Sequence, residues 1–229
     1  MTTAAEGRVL VTSGPTRAYF DRIRYISNTS SGALGARIVE GLVGVGMPVV
    51  HVRGPGSEAP VVERAELLES HTVETVGSLV EIVRRICGGG GIAAVVHAMA
   101  VLDYEPEKAG RGKKKSGDDI WTVSLVKTPK VTPIIRELAP KAFFVGFKLE
   151  AGVGGDELVR RAMESLRTYD LDIVVANDID RVSGSRHEAV VLDADGTVVA
   201  RTETKESLAS VLVGLIRNAG TSGAYGVSR

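Results

Sequence analysis

The chain has 229 residues, 44% of them apolar and 24% charged, with 28 basic side chains balanced by 28 acidic ones. That balance leaves no field of one sign over the molecule and excludes bulk electrostatic binding to nucleic acid or to a membrane surface. A lone cysteine, Cys87, excludes an internal disulfide and a cysteine-built metal site, and no window approaches the 18 consecutive apolar residues of a membrane span.

In chain order, Met1–Glu6 carries neither a basic start nor an apolar run, so it does not read as a secretory signal, and a cytoplasmic location is expected. Residues 8–12 are a β-branched, apolar run ending at Ser13-Gly14-Pro15, the pattern of a buried strand entering a turn. Leu34, Ile38, Val39, Leu42 and Val45 recur at helical spacing. A helix therefore begins near Ser30 or Ser31, either of which can cap it, and Gly46 stops it. Residues 49–53 read as a second strand, 65–69 as a third, 75–87 as a helix ending on Cys87, and 92–98 as an apolar strand. Cys87 has no base beside it in sequence and reads as a core residue at the helix end.

The alternation continues with strands at 121–126, 142–147 and 173–176 and helices at 131–138 and 156–169. Repeated β-α-β of this kind predicts an α/β, Rossmann-like fold: a mainly parallel sheet with helices on both faces. The end of the chain differs. Residues 188–192 and 197–201 flank Asp193-Ala194-Asp195-Gly196, a hairpin signal, and a helix follows over 205–217. The expected organisation is one domain over residues 1–217 and a flexible Gly-, Ser- and Ala-rich tail at 218–229.

Polar residues gather at the predicted strand ends, the edge where open parallel sheets bind ligands. The first group is the turn Gly14-Pro15-Thr16-Arg17 with Asn28-Thr29-Ser30-Ser31-Gly32, ahead of a helix whose free amides suit a phosphate. The same residues read equally as a capped helix with packing glycines. Asn28 is a turn former or an amide that holds a carbonyl oxygen during acyl transfer. The second group, His97-Ala98-Met99 with Asp103, ends an apolar strand; His97 reads as a satisfied core histidine or as a ligand, and Asp103 as a loop cap or as a partner for a sugar or base. The third is the basic loop Lys113-Lys114-Lys115, either a solvated run or a cover over phosphates. The fourth is Lys127-Thr128-Pro129-Lys130-Val131-Thr132, where a proline precedes a helix and leaves its amides open. Phe147, in Val145-Gly146-Phe147-Lys148-Leu149-Glu150, is a core residue or a stacking platform, and Asn177-Asp178 is a further polar pair.

The ordered set from Val11-Thr12-Ser13-Gly14-Pro15-Thr16-Arg17 through Ile26-Ser27-Asn28-Thr29-Ser30-Ser31-Gly32, Ala98–Tyr104, Lys113–Gly117, Val126–Lys130, Val145-Gly146-Phe147 and Val175-Ala176-Asn177-Asp178 resembles the phosphopantothenate–cysteine ligase family over residues 8–215. The Phe147-Lys148-Leu149-Glu150 variant resembles its free-standing bacterial form. The resemblance implies a ligase that activates 4′-phosphopantothenate with a nucleoside triphosphate, CTP or else ATP, with Mg²⁺. It then joins the acyl-nucleotide to cysteine in coenzyme A biosynthesis. It implies catalytic roles for Asn28 and Lys113. His97, Ala98, Met99, Asp103, Lys113, Pro129, Lys130, Val131, Thr132 and Phe147 would bind the nucleotide, and Gly14, Thr16, Arg17, Ser30, Ser31 and Gly32 the phosphorylated acid. It further implies a homodimer with small-molecule substrates and no metal held by protein side chains alone. The chain departs from the family at Ala33, Ser165 and Tyr169, where basic residues are expected. Arg160, Arg161 and Arg167 are candidates to replace that charge. A divergent paralogue acting on another carboxylate and amine, or a non-catalytic nucleotide-binding module, is the alternative.

Overall fold

A computed structural model describes residues 7–117, 119–184 and 186–221. The first strand, β1 (Arg8–Ser13), is followed by a two-stranded ribbon, β2 (Arg17–Tyr19) and β3 (Tyr25–Ser27), and by α1 (Ala33–Gly44). Next come β4 (Val49–Arg53), a short 3₁₀ turn at Ala65–Leu67, β5 (Leu68–Thr72), α2 (Val76–Gly88) and β6 (Ile92–His97). A second ribbon, β7 (Tyr104–Pro106) and β8 (Leu125–Lys127), leads into α3 (Val131–Leu138), β9 (Phe143–Glu150), α4 (Gly155–Thr168) and β10 (Ile173–Ser183). The chain closes with β11 (Arg186–Asp193), β12 (Val198–Thr204) and α5 (Lys205–Thr221).

Eight strands make one sheet in the order β12-β11-β10-β9-β6-β1-β4-β5. All pairs from β5 to β10 are parallel; β10-β11 and β11-β12 are antiparallel. The sheet is covered on both faces, so its inner strands are apolar on both. Leu10, Val52, Val95, Phe144 and Val174 pack with α2, α3 and α4. Val9, Val11, Val96, Val145 and Val175, their neighbours in the alternation, pack with α1 and α5. Cys87 lies inside the first of these cores, 3% exposed, and burial pushes its thiol up to about 11. It is a packing residue.

The expected fold class is the observed one, with four local corrections. The strand expected at 65–69 is a 3₁₀ turn followed by β5, three residues later; β5 is an edge strand with little buried surface, so its apolar signal is weak. The strand expected at 121–126 is absent except for its last two residues, which join Lys127 in an exposed ribbon outside the main sheet. Trp121 is drawn instead against Phe20, ring centroids 5.7 Å apart, and under the Arg24 guanidinium at 4.5 Å. The strand expected to end at 176 runs on through Asn177 and Asp178, with a bulge between Asn177 and Val182. Of the tail, 218–221 continue α5, and 222–229 lie outside the described residues, as do 1–6.

Phe144 is fully buried beneath the α3–α4 face, with the Arg136 guanidinium 5.0 Å from its ring. Phe144→Ala should lower unfolding free energy by about 3–5 kcal/mol, measured by urea denaturation; a loss below about 1 kcal/mol would show that this core collapses around the gap.

Candidate active site

β1 is the switch point of the sheet: the chain leaves it to build β4 and β5 on one side and returns to β6 on the other. Ligand crevices open at that point, outside the strand carboxyl ends. Here the loops after β1 and β6 are joined by backbone bonds. Ala98 N–H donates to Thr12 O at 3.0 Å, Ala100 N–H to Gly14 O at 2.8 Å, and Thr16 N–H to Ala100 O at 3.2 Å. Gly14 makes this turn at φ 78°, and a Cβ there would stand 1.7 Å from Ser57 Oγ, so no other residue fits.

Above the seam lies a cleft of about 860 Å³, within the usual range of small-molecule sites, about 300–1,000 Å³. Its wall on the α1–α5 side includes Asn28, Ser30, Ser31 and Gly32. The expectation that Ser30 or Ser31 caps α1 is corrected. The N-cap is Gly32 in the left-handed conformation, φ 68°, with no side-chain cap bond, and the Ser31 hydroxyl stands 3.4 Å from Ala33 N. Of the first amides of α1, Ala33 N–H thus has the Ser31 hydroxyl as a long acceptor, and no N-cap side chain serves those that follow.

The wall on the α3–α4 side includes His97, Met99, Asp103, Pro129, Lys130, Val131 and Thr132, while Ala98 and Phe147 line the cleft from the α1–α5 side, where both pack against that core. α3 also starts without a side-chain cap. His97 is 9% exposed; its Nδ1 lies 2.6 Å from Thr12 Oγ1, and burial lowers its pKa to about 4, so the ring is neutral near pH 7. Beneath the first turn, His51 is fully buried with Nε2 2.8 Å from Ser13 Oγ, and burial with the Arg53 charge holds it at about 4. Lys130 Nζ pairs with Asp103 Oδ1 at 2.6 Å at the exposed rim, and this bond raises the lysine pKa.

Asn28 sits at the seam between the two walls. Its Nδ2 donates to the carbonyls of Val101 at 3.1 Å and Ala100 at 3.3 Å. Its amide hydrogens are thus engaged, and the carbonyl oxygen is the group left for a ligand. This revises the donor role expected for it.

Four expected site residues lie elsewhere. Gly14 shapes the turn beneath the cleft. Thr16 is fully buried and its hydroxyl accepts from Leu102 N–H at 2.9 Å. Arg17 lies 4.2 Å over the Tyr25 ring and 3.7 Å from Glu74. Lys113 lines a separate hollow of about 450 Å³ with Phe20, Asp21 and Trp121. The loop that carries it is fastened there. Lys114 N–H donates to Asp21 Oδ2 at 3.0 Å and Arg24 donates to Lys114 O at 2.8 Å. Arg24 and these backbone donors hold the Asp21 carboxyl far below the ordinary carboxylate range.

Ala33, Ser165 and Tyr169 all line the cleft. Arg160 and Arg161 do not replace the missing charge: Arg160 is paired with Glu157 and Glu164, and Arg161 with Glu150 and Glu157 at 2.7 Å each. Besides Lys130, the cleft holds Lys148, 3.1 Å from Glu150, and Lys205, which the sequence reading passed over. The signal was a lysine opening the last helix, directly after a strand. Among the described residues no cluster of three or more His, Cys, Asp or Glu side chains is placed to hold a metal, and no helix is long and apolar enough to cross a membrane.

A family model described as the DNA/pantothenate metabolism flavoprotein C-terminal domain matches residues 4–219. The coenzyme A biosynthesis bifunctional protein CoaBC of Thermococcus kodakarensis is 36% identical over 205 residues, 90% of this chain and 49% of that protein. The chain spans about half the length of the curated relatives it matches. Among solved structures, the DNA/pantothenate metabolism flavoprotein from Streptococcus pneumoniae superposes with a TM-score of 0.84 at 28% identity, covering 93% of this chain and 99% of that one. The C-terminal domain of a CoaBC protein gives 0.74 at 25% identity, covering 93% and 94%.

His51 and His97 titrate near 6.5 when unfolded and near 4 when folded. The unfolded chain takes up their protons first as pH falls. The stability they contribute as neutral rings is complete above about pH 6.5 and is lost between about 6.5 and 4, at up to roughly 1.4 kcal/mol per pH unit for each. The melting temperature should fall across that window, and His51→Gln should flatten the fall. A melting temperature level from pH 7 to 4.5 would contradict the assignment.

Proposed function

This chain belongs to the DNA/pantothenate metabolism flavoprotein C-terminal domain family, and on that basis we propose that its cleft condenses 4′-phosphopantothenate with cysteine. The observation that carries the reading is one cleft spanning the switch point, with the open amides of α1 on one wall, the open amides of α3 beside neutral His97 on the other, and Asn28 at the seam. An anion site and a base-recognition site then face a common centre, as a reaction between a phosphorylated acid and a nucleotide requires.

In the first step a carboxylate oxygen of the acid attacks the α-phosphorus of the nucleoside triphosphate. The P–O bond to the β-phosphate breaks, and pyrophosphate leaves. In the second, the neutral amine nitrogen of cysteine attacks the acyl carbon and gives up one proton to solvent, keeping the other as the amide N–H. The C–O bond to phosphorus breaks, and the nucleoside monophosphate leaves with the electron pair. α3 and the His97–Met99 backbone orient the base, Phe147 flanks it, and Lys130 and Lys148 exchange their carboxylate partners for phosphate oxygens. The Asn28 oxygen accepts an N–H of the acid's own amide or of the incoming amine and fixes its approach to the acyl carbon. Mg²⁺ would arrive on the nucleotide phosphates, where it offsets phosphoryl charge; Asp103 and Glu150 are the cleft carboxylates able to complete its shell. CTP is the expected nucleotide, with ATP the competitor. One catalytic domain over 1–217, a homodimer and a cytoplasmic location belong to the same reading. For Lys113 to act in the chemistry, its loop must leave the Asp21–Arg24 clasp.

The neutral residues Ala33, Ser165 and Tyr169 in the cleft favour a second reading, a divergent paralogue that joins another carboxylate and amine by the same acyl-nucleotide route.

Pyrophosphate release from CTP or ATP should require 4′-phosphopantothenate, and amide formation should require cysteine. No release with either nucleotide would sink the ligase reading, and release with a different acid would select the paralogue. Asn28→Asp sets a carboxylate against the Ala100 and Val101 carbonyls and displaces the positioning oxygen; it should still release pyrophosphate but slow amide formation about 100-fold, with the acyl-nucleotide visible by mass spectrometry. Lys113→Ala should abolish turnover, and retained activity would assign that lysine to the neighbouring hollow alone.

A further inference from the structure

The parallel ladder of β9 and β10 ends beside the cleft, and its last register pair is Glu150 with Asp178. Beyond that pair β9 turns away into α4, and β10 leaves its ladder with β11 between Asn177 and Val182. Two stretches without strand partners therefore lie side by side, residues 151–154 and 179–181. Both border the cleft. Ala151 lines it from the first and Ile179 from the second, with Glu150, Asn177 and Val182 on their flanks. Ile179 is 41% exposed, so apolar burial does little to hold its stretch in place.

One carboxylate joins the two stretches. Asp178 is 4% exposed and does not itself line the cleft. Its Oδ1 accepts Gly152 N–H at 3.1 Å and Asp180 N–H at 3.0 Å, and its Oδ2 accepts Val153 N–H at 3.0 Å. Two consecutive amides can close on one carboxylate because Gly152 takes the left-handed conformation, φ 65°. The Asp180 amide comes first among the causes that hold the Asp178 carboxyl below the ordinary carboxylate range. Burial opposes it, and the amides of Gly152 and Val153 add to it. The turn so anchored follows directly on Glu150, whose carboxylate holds Lys148 at 3.1 Å and Arg161 at 2.7 Å. The seat of the turn thus bears on where the charges at this end of the cleft stand.

We infer that Asp178 is a positioning residue for the nucleotide: by tying the β9–α4 turn to the end of β10, it fixes the end wall of the cleft through Ala151 and Glu150 on one side and Ile179 on the other. This rests on the reading that the cleft takes a nucleotide. Without the anchor, a ligand would have to order both stretches as it bound, and that ordering is subtracted from its binding free energy. The reacting atoms meet at Asn28, on the seam, so the bond-making steps do not pass through Asp178. Its loss therefore weakens binding more than it slows chemistry.

The test combines steady-state kinetics with amide hydrogen exchange on the full chain and the variants Asp178→Asn and Gly152→Ala. Asparagine keeps one acceptor oxygen but turns an NH₂ toward amides that need an acceptor. Alanine at 152 keeps the carboxylate and strains the turn from the other side. Asp178→Asn should raise KM for CTP about five-fold or more, with kcat and the KM of the acid within about two-fold. Exchange should quicken in residues 151–154 and 179–182 and stay unchanged in the rest of the sheet. Gly152→Ala should move the same quantities in the same direction by less. A general loss of folded protein lowers kcat at constant KM, so a fall in kcat with KM unmoved would overturn the positioning role. Unaltered exchange in the two stretches would overturn it as well. If the unaltered protein releases pyrophosphate and Asp178→Asn shares its KM, the ligase reading stands and the positioning role falls. If the unaltered protein releases none with either nucleotide, the ligase reading falls, and calorimetry with CTP decides the rest. Binding weakened by Asp178→Asn then sustains the positioning role, and equal affinity or no binding overturns it.

Discussion

The cleft depends on the backbone seam between the loops that follow β1 and β6. These loops leave adjacent strands, and the amides of Thr16, Ala98 and Ala100 are each satisfied across the gap. Such bonds leave the two loops little freedom, because a buried backbone group released from one would have no replacement. Only a glycine at 14 lets the chain pass over Ser57, and Asn28 fastens the far side of the same seam through the carbonyls of Ala100 and Val101. The amides of α1 and the imidazole of His97 are thereby held at a fixed separation on opposite walls.

The charge pattern follows from what each cation already holds. On α4 Arg160 and Arg161 are held by carboxylates of the same helix and by Glu150, and Arg167 does not line the cleft, so the side of α4 that meets the cleft presents Ser165 and Tyr169 instead. Exposed pairs of this kind add little to stability; their larger consequence is to keep guanidinium groups off the ligand. Lys130 and Lys148 are neutralised in the free protein, so an incoming anion must compete with Asp103 and Glu150 for them. Lys205 carries no such competitor among the described residues.

The cleft floor, by contrast, is uncharged. His51 and His97 are buried, each in contact with a hydroxyl of β1, and both remain neutral at ordinary pH. Positive charge is confined to the rim and to helix ends, where a phosphate can reach it while an apolar or neutral portion of a ligand lies on the floor.

The sequence by itself determined the layers of the fold. β1, β6 and β10 begin as continuous apolar runs because helices cover both faces of the sheet, and α1 to α5 declare themselves by spacing because each buries one stripe. The Asp193–Gly196 turn was legible because its geometry is local. The candidate wall of His97, Asp103 and Lys130 to Thr132 was legible as polar residues at strand and helix ends. β5 and the β7–β8 ribbon were not, since exposed strands bury too little to leave a periodic signal. Tertiary structure alone decided which groups face which. Asn28 meets the Ala100 carbonyl 72 residues away, Thr12 meets His97 at a separation of 85, and Lys113 is carried off to the Asp21 clasp. It also left α1 without an N-cap side-chain bond and brought Lys205 and His187 into the cleft. A local pattern records how much of each residue is buried, but the identity of its partner depends on strand order and on which side of the sheet each connection takes.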